Sequence, residues 1–356
     1  MPDIDVNGTV HASPFVLPES ALLSPETRSE LDRARRADGG LTPACGSDKG
    51  ATADRILAIR RCEIDEWRRS PERKALFDSY SVKVHGEEIA GVYADVFIPT
   101  GGVAAENRQR ILINVHGGGF LGGARISSEI ESVPISAVGR IKVYSLDYRM
   151  APLNEFPAAS EDVEKVYREL LKHYSPKNIG IFGCSAGGLL TAQSVARFQK
   201  AHLPRPGAVA LLCEGAFFWG DGDSGVFDRA VTGGIPERSS RDNAYLKDAD
   251  PNDPLAFPAT SASVLAQFPP TLLVSATRDM ALSSVVRTHS LLIANGVEAE
   301  LHVWEGLGHG FQYDFSLPES REVFRTLARF FDTHLGRSRP QQRGAGFSKL
   351  HRGVFD

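Results

Sequence analysis

Ile179-Gly180-Ile181-Phe182-Gly183-Cys184-Ser185-Ala186-Gly187-Gly188-Leu189-Leu190 is the stretch that decides the fold of this chain. An apolar run enters Gly183, and the sequence LLTAQSVARF beyond Gly188 reads as a helix. A strand that becomes a helix across so few residues must turn sharply, and Ser185 occupies the strained apex. Glycines at 183 and 187 leave room where side chains would collide. The helix N-terminus beneath Ser185 favours developing negative charge. A bare GxSxG recurs by chance; the strand before it and the helix after it make this one specific.

Working outward, the same alternation of strand and helix fills most of the chain. Strands are expected at 111–115, 142–147, 179–183, 208–213, 271–276 and 299–304, with helices between them, as at 160–173 and 186–200. Continuous apolar runs of this kind suit a parallel sheet buried on both faces. Residues 79–98 switch to alternation, which predicts two strands around a His85-Gly86 turn. The stretch 54–76 places Ile56, Ile59 and Trp67 on one face of an amphipathic helix. The last helix, 317–335, is expected to start with Ser316 and Glu319 as a capping box.

Two further signals join the Ser185 turn. His116-Gly117-Gly118-Gly119-Phe120 follows the strand ILINV directly. Acyl transfer passes through an oxyanion that backbone N–H groups must reach, and glycine permits that approach. Gly117 and Gly118 are therefore candidate donors, with the N–H of Ala186 beside them, while His116 is expected to hold the loop. The other signal is chain order. Asp279 lies just past the strand TLLVSA and His309 just past the strand ending at Trp304. Ser, then acid, then His, each in a loop beyond a strand's C-terminal end, is the order of one catalytic scaffold. Ser185 needs a base, His309 supplies it, and Asp279 fixes its tautomer. Glu305 and Asp314 are the rival acids, disfavoured by position. Cys184 is set aside as nucleophile because the apex is residue 185. An unperturbed imidazole titrates near about 6.5, so activity is expected to rise through about pH 6–7.

Together these residues resemble the hormone-sensitive-lipase-like branch of the α/β-hydrolases, which includes bacterial esterases and arylacetamide-deacetylase-like enzymes. The matching segments are HGGGF at 116–120, DYRMAP at 147–152, FPAASED at 156–162, GCSAGG at 183–188, Asp279, and HGF at 309–311, and the likeness covers roughly 80–335. The resemblance implies an α/β fold with a mostly parallel eight-stranded sheet, helices on both faces and a helical cap. It also implies an oxyanion hole from Gly117, Gly118 and Ala186, and no cofactor. Two departures stand out. Cys184 occupies the place of the usual Asp before the nucleophile, and Leu153 that of a Glu.

The expected organisation is an N-terminal arm and cap at 1–76, a catalytic domain at 77–336 with a cap-contributing insertion at 217–266, and a flexible basic tail at 337–356. Phe120, Glu214, Phe217, Phe218 and Trp219 are candidate pocket residues. For Phe217, Phe218 and Trp219, packing inside a cap is an equal alternative, and for Glu214 a surface salt bridge. Arg149 is expected to pair with a nearby carboxylate.

A net charge of −4 carries no footprint of nucleic acid. Four cysteines, Cys45, Cys62, Cys184 and Cys213, show no paired short spacing, so no metal site is expected and free thiols in a reducing compartment are. The N-terminus lacks a basic region followed by an apolar one, and no run reaches the roughly 18 apolar residues of a membrane span. The cytoplasm is the expected location, a small ester the expected partner, and a homodimer is left open. The expected activity is carboxylesterase. A lactone hydrolase, amidase or deacetylase would use the same machinery. A binding protein on an inactive scaffold, as in the gibberellin receptor, would have lost the histidine that this chain keeps at 309.

Overall fold

The computed structural model describes residues 3–4, 10–11, 16–37, 45–46, 52–218, 220, 222–232 and 243–336; the tail 337–356 and Trp219 lie outside them. Eight strands form one sheet: β1 (Val82–Ile89), β2 (Val92–Pro99), β3 (Ile111–Asn114), β4 (Lys142–Leu146), β5 (Ile179–Cys184), β6 (Ala208–Leu212), β7 (Thr271–Arg278) and β8 (Ala299–Gly308). Their order is β8-β7-β6-β5-β3-β4-β2-β1. β2 runs antiparallel to both β1 and β4, and the remaining pairs are parallel. After β3 the chain moves to β4 on one side, then returns to β5 on the other. The connections leaving β3 and β5 therefore diverge, and a crevice opens between them at the C-terminal edge of the sheet.

The strands are apolar on both faces because both faces are covered. Ile111, Ile113, Ile179 and Ile181 point into one core, shared with Val163 of α5 (Ala158–Leu170), Leu190 of α6 (Ala186–Lys200) and Leu292 of α9 (Leu282–Ala294). Leu112 and Phe182 point into the other, shared with Leu76 of α3 (Pro71–Tyr80), Ile135 of α4 (Ser127–Gly139) and Phe324 of α10 (Pro318–His334). Successive residues of a strand feed opposite cores, as the pleat requires.

Four local expectations need correction. The turn between β1 and β2 is Ala90-Gly91, both at positive φ, and not His85-Gly86. Gly86 lies mid-strand, where a Cβ would sit 2.7 Å from the Tyr93 ring, so its missing side chain makes room for the aromatic. The single helix expected over 54–76 is two, α2 (Ala53–Arg69) and α3. Ser70 ends one and caps the other, because Pro71 bars helical backbone at the residue before it and suits the first position of a new helix. No capping box opens α10: Ser316 turns back to Asp314, and Glu319 instead receives the Ser24 N–H at 3.2 Å and the Thr27 hydroxyl. Finally, Cys45 and Cys62 are joined in a disulfide, their Cα atoms 5.6 Å apart, and only Cys184 and Cys213 stay free. A pairing across 17 residues, in which one partner lies on a helix, gave no local spacing to read.

The second and third helices are tied to α4 by one buried carboxylate. Glu129 opens α4 and accepts Arg73 Nε at 2.7 Å, Arg73 Nη2 at 2.9 Å and Trp67 Nε1 at 2.8 Å. It gains as well from the positive end of its own helix. Removing it leaves an arginine and an indole with no acceptor. Glu129→Ala is expected to lower stability by about 2–3 kcal/mol, since breaking one side of a largely buried pair strands the other. Urea unfolding checks this, and limited proteolysis should then cut between α2 and α4 before the sheet is attacked.

Candidate active site

Ser185 sits between β5 and α6 at φ +55°, ψ −124°, a conformation an ordinary residue avoids. It is held there by its own N–H, which donates to Leu212 O at 2.8 Å, and by crowding on either side. A Cβ on Gly183 or Gly187 would lie 2.0 or 1.9 Å from the carbonyl oxygen of Val115. The elbow and the end of β3 are thus in backbone contact, and only glycine permits it.

The three residues expected to work together do meet. Ser185 Oγ lies 2.8 Å from His309 Nε2, and His309 Nδ1 lies 2.7 Å from Asp279 Oδ1. Asp279 is 1% exposed. It also accepts the Ser275 hydroxyl at 2.9 Å and the Ala281 N–H at 2.9 Å, so both its oxygens are spoken for and its rotamer is fixed. With the carboxylate as acceptor, Nδ1 carries the proton and Nε2 is left to accept from Ser185. The rival acids are engaged elsewhere. Glu305 accepts from Ser20, and Asp314 from Ser316. Burial pulls the His309 imidazole down, but the Asp279 charge and hydrogen bond outweigh it and push it up to about 9. The side chain stays 26% exposed, which limits the burial effect.

The glycine loop is only partly as expected. The N–H of Gly117 donates to Glu131 Oε1 at 2.8 Å and is spent. The amides of Gly118, Gly119 and Ala186 donate to no loop carbonyl among the described residues. His116 is structural, as expected. Its fully buried ring stacks on Tyr148 at 4.5 Å and its Nδ1 donates to Gly117 O at 2.8 Å. Arg149 pairs with Asp162 at 2.8 Å and Glu161 at 3.1 Å, again as expected.

The candidate pocket residues scatter. Phe120 is fully buried and stacked on Tyr245 at 4.4 Å, so it packs the loop and offers no surface to a substrate. Phe218 is buried in the core and Phe217 half-buried against it. Glu214 is neither an open pocket residue nor a surface ion pair. It is fully buried, its Oε1 accepts its neighbour's N–H at 2.8 Å, and burial pushes its carboxyl well above the usual range. Cys184, in the place of an expected Asp, is buried too. Gln312 donates to its sulfur at 2.9 Å, and burial raises the thiol. Glu131 was not singled out from the sequence. The one signal was a pair of acids, Glu129 and Glu131, in an otherwise small and apolar helix, SSEIESVPISAVG.

Such an arrangement can draw a proton from a hydroxyl and pass it on, beside loop amides that donate to no loop carbonyl among the described residues. That is the chemistry of hydrolases that work through a serine. The chain belongs to the α/β-hydrolase fold family, in its hormone-sensitive-lipase-like branch; the family profile matches residues 112–313. It is 31% identical to a solved esterase, E25, covering 91% of this chain and 98% of that one at a TM-score of 0.76. A solved esterase described as of the bacterial hormone-sensitive lipase family is 25% identical, with 88% and 99% covered and a TM-score of 0.72. An acetyl-hydrolase of Streptomyces hygroscopicus is 27% identical over 239 residues, 65% of this chain and 78% of its own length. The protein is accordingly a hydrolase.

The sign of the pH dependence follows from His309. A base must be neutral, and protonation below its pKa removes it. Activity should therefore rise with pH through about 9, alkaline of the 6–7 that the sequence suggested. Asp279→Asn removes the charge that raises the imidazole, so the rise should move to lower pH while kcat falls by about 10⁴-fold, as for the same change in serine proteases. Log kcat/KM against pH for both proteins checks the shift, and an unmoved rise would contradict the coupling.

Proposed function

We propose that this protein is a serine carboxylesterase that hydrolyses small to medium esters through an acyl-enzyme on Ser185. The observation that carries this is the proton path: Ser185 Oγ to His309 Nε2 at 2.8 Å, with Nδ1 held at 2.7 Å by a buried Asp279. Ser185 Oγ attacks the ester carbonyl as its proton moves to His309. The tetrahedral oxyanion is met by the amides of Gly118 and Ala186, with Gly119 in the role first expected of Gly117. Collapse expels the alcohol, which takes the proton back from His309. Water, activated by the same imidazole, then attacks the acyl-enzyme, releasing the acid and restoring Ser185.

The described residues of 20–76 are read as a cap over this site. Arg60 of α2 donates to Ala151 O, and between α2 and the chain after the glycine loop lies a cavity of about 210 Å³, lined by Leu57, Arg60, Ile64, Gly123, Ile126 and Met150. The cytoplasm is retained as the proposed location, although Cys45–Cys62 is a kind of bond that reducing compartments rarely keep. Thiol trapping of that pair in fresh lysate decides it. The homodimer left open by the sequence is a question for sedimentation.

Ser185→Ala should leave a folded protein whose activity is down by about 10³-fold or more, because no acyl-enzyme can form. A fluorophosphonate should label Ser185 in the parent and nothing in the variant; a label on another serine would contradict the assignment. A panel of nitrophenyl esters of rising acyl length, with lactones and anilides alongside, is expected to favour the short and medium esters. Preference for a lactone or an anilide would change the substrate class and leave the mechanism standing.

A further inference from the structure

Glu131 lies in α4, 1% exposed, and no step above uses it. Its Oε1 accepts the Gly117 N–H at 2.8 Å and the Tyr313 hydroxyl at 2.6 Å, and its Oε2 accepts Asn114 Nδ2 at 2.8 Å. The Cys184 amide adds a further hold on its charge. One carboxylate thus touches the end of β3, the first glycine of the loop, the residue before Ser185, and the turn four residues past His309. These contacts join three segments far apart in sequence, 114–117, Cys184 and Tyr313, and they are the pieces the proposed reaction must keep in register.

The contact with Gly117 has a directional consequence. That residue is held from both sides, its N–H by Glu131 and its C=O by His116 Nδ1 at 2.8 Å. The C=O and the next N–H of a trans peptide point in opposite directions. Fixing Gly117 O toward His116 therefore turns the Gly118 N–H the other way and leaves it no freedom to swing. A Cβ at Gly117 would come within 2.4 Å of Tyr313 Oη and 2.8 Å of Cys184 O, so the loop is pressed against the same partners that Glu131 binds. Burial pushes this carboxyl up to about 7, against the pull of its donors. Burying a carboxylate costs several kcal/mol, a heavy penalty for a position that a leucine could fill if packing were its whole task.

We propose that Glu131 is a positioning residue for ester hydrolysis, which through Gly117 aims the oxyanion-hole amides and through Tyr313 and Cys184 keeps them aligned with Ser185 and His309. This rests on the reading of Ser185 as nucleophile. Aim matters where charge develops, so the loss should fall on kcat and on affinity for tetrahedral adducts, with substrate binding spared.

The test compares the parent with Glu131→Gln and Glu131→Leu, counting working sites by titration to completion. Glutamine keeps the size and one acceptor oxygen but loses the charge. It is expected to lower kcat per site by about tenfold with KM within about threefold, and to weaken a trifluoromethyl ketone by the same factor as kcat. Leucine should deepen both losses to about 10²-fold, the scale of one lost oxyanion donor. A glutamine variant whose kcat per site is within about twofold of the parent's overturns the proposal, whether or not the leucine variant folds. So does a fall in kcat that leaves ketone affinity unchanged. Labelling the parent reports separately on the underlying reading: an unlabelled Ser185 would remove that reading and this proposal with it.

Discussion

The contact between the Val115 carbonyl and the backbone of Gly183 and Gly187 is the constraint on which the rest depends. It brings the end of β3 and the start of α6 closer than any side chain would allow. Ser185 is driven into a left-handed backbone as a result, and its Oγ stands clear of both strand and helix. The same closeness sets the glycine loop beside the serine, as the proposed reaction on one carbonyl carbon requires. A residue in this conformation costs of order 1–3 kcal/mol, and the two packed cores on either side of the sheet hold it there.

Much of this was legible in the residues. Parallel strands buried on both faces read as apolar runs, and those runs came out at the right places. The order of Ser185, Asp279 and His309 could be turned into proximity because the topology of an α/β sheet delivers all three loops to one edge. Where the sequence misled, the cause was usually a partner far away. Glu319 had the spacing of a cap, but Ser24 and Thr27 claimed it. Gly117 had the permissiveness of an oxyanion donor, but Glu131 took its amide. His85-Gly86 had the composition of a turn, but a ring across the sheet needed the space. Periodicity and composition speak of what a residue can do alone; these outcomes were settled by distant side chains.

Three buried carboxyls around the site show how far environment sets role. Asp279 spends its oxygens on His309, Ser275 and an amide, and biases an imidazole. Glu131 spends its own on backbone, amide and phenol, all of them parts of the scaffold. Glu214 has only its neighbour's amide and the Ser284 hydroxyl, and burial holds it toward its neutral form. The side-chain chemistry is the same in each case. What differs is the supply of donors, which is a property of the loops and not of the residue.

The grip of Glu319 on Ser24 and Thr27 also bears on how the protein is made. The first helix, α1 (Pro25–Ala37), leaves the ribosome early, yet the carboxylate that fastens its start belongs to the last helix of the sheet domain. Nearly 300 residues must be synthesised before the two can meet, on the order of 15–60 s at about 5–20 residues per second. For that interval the N-terminal arm has no docking place on α10, and its apolar Leu23 has yet to find the buried site it shares with Gly306. Arrival of α10 therefore packs its own apolar face and fastens the start of α1 in one event, so α1 is among the last of the described helices to be secured.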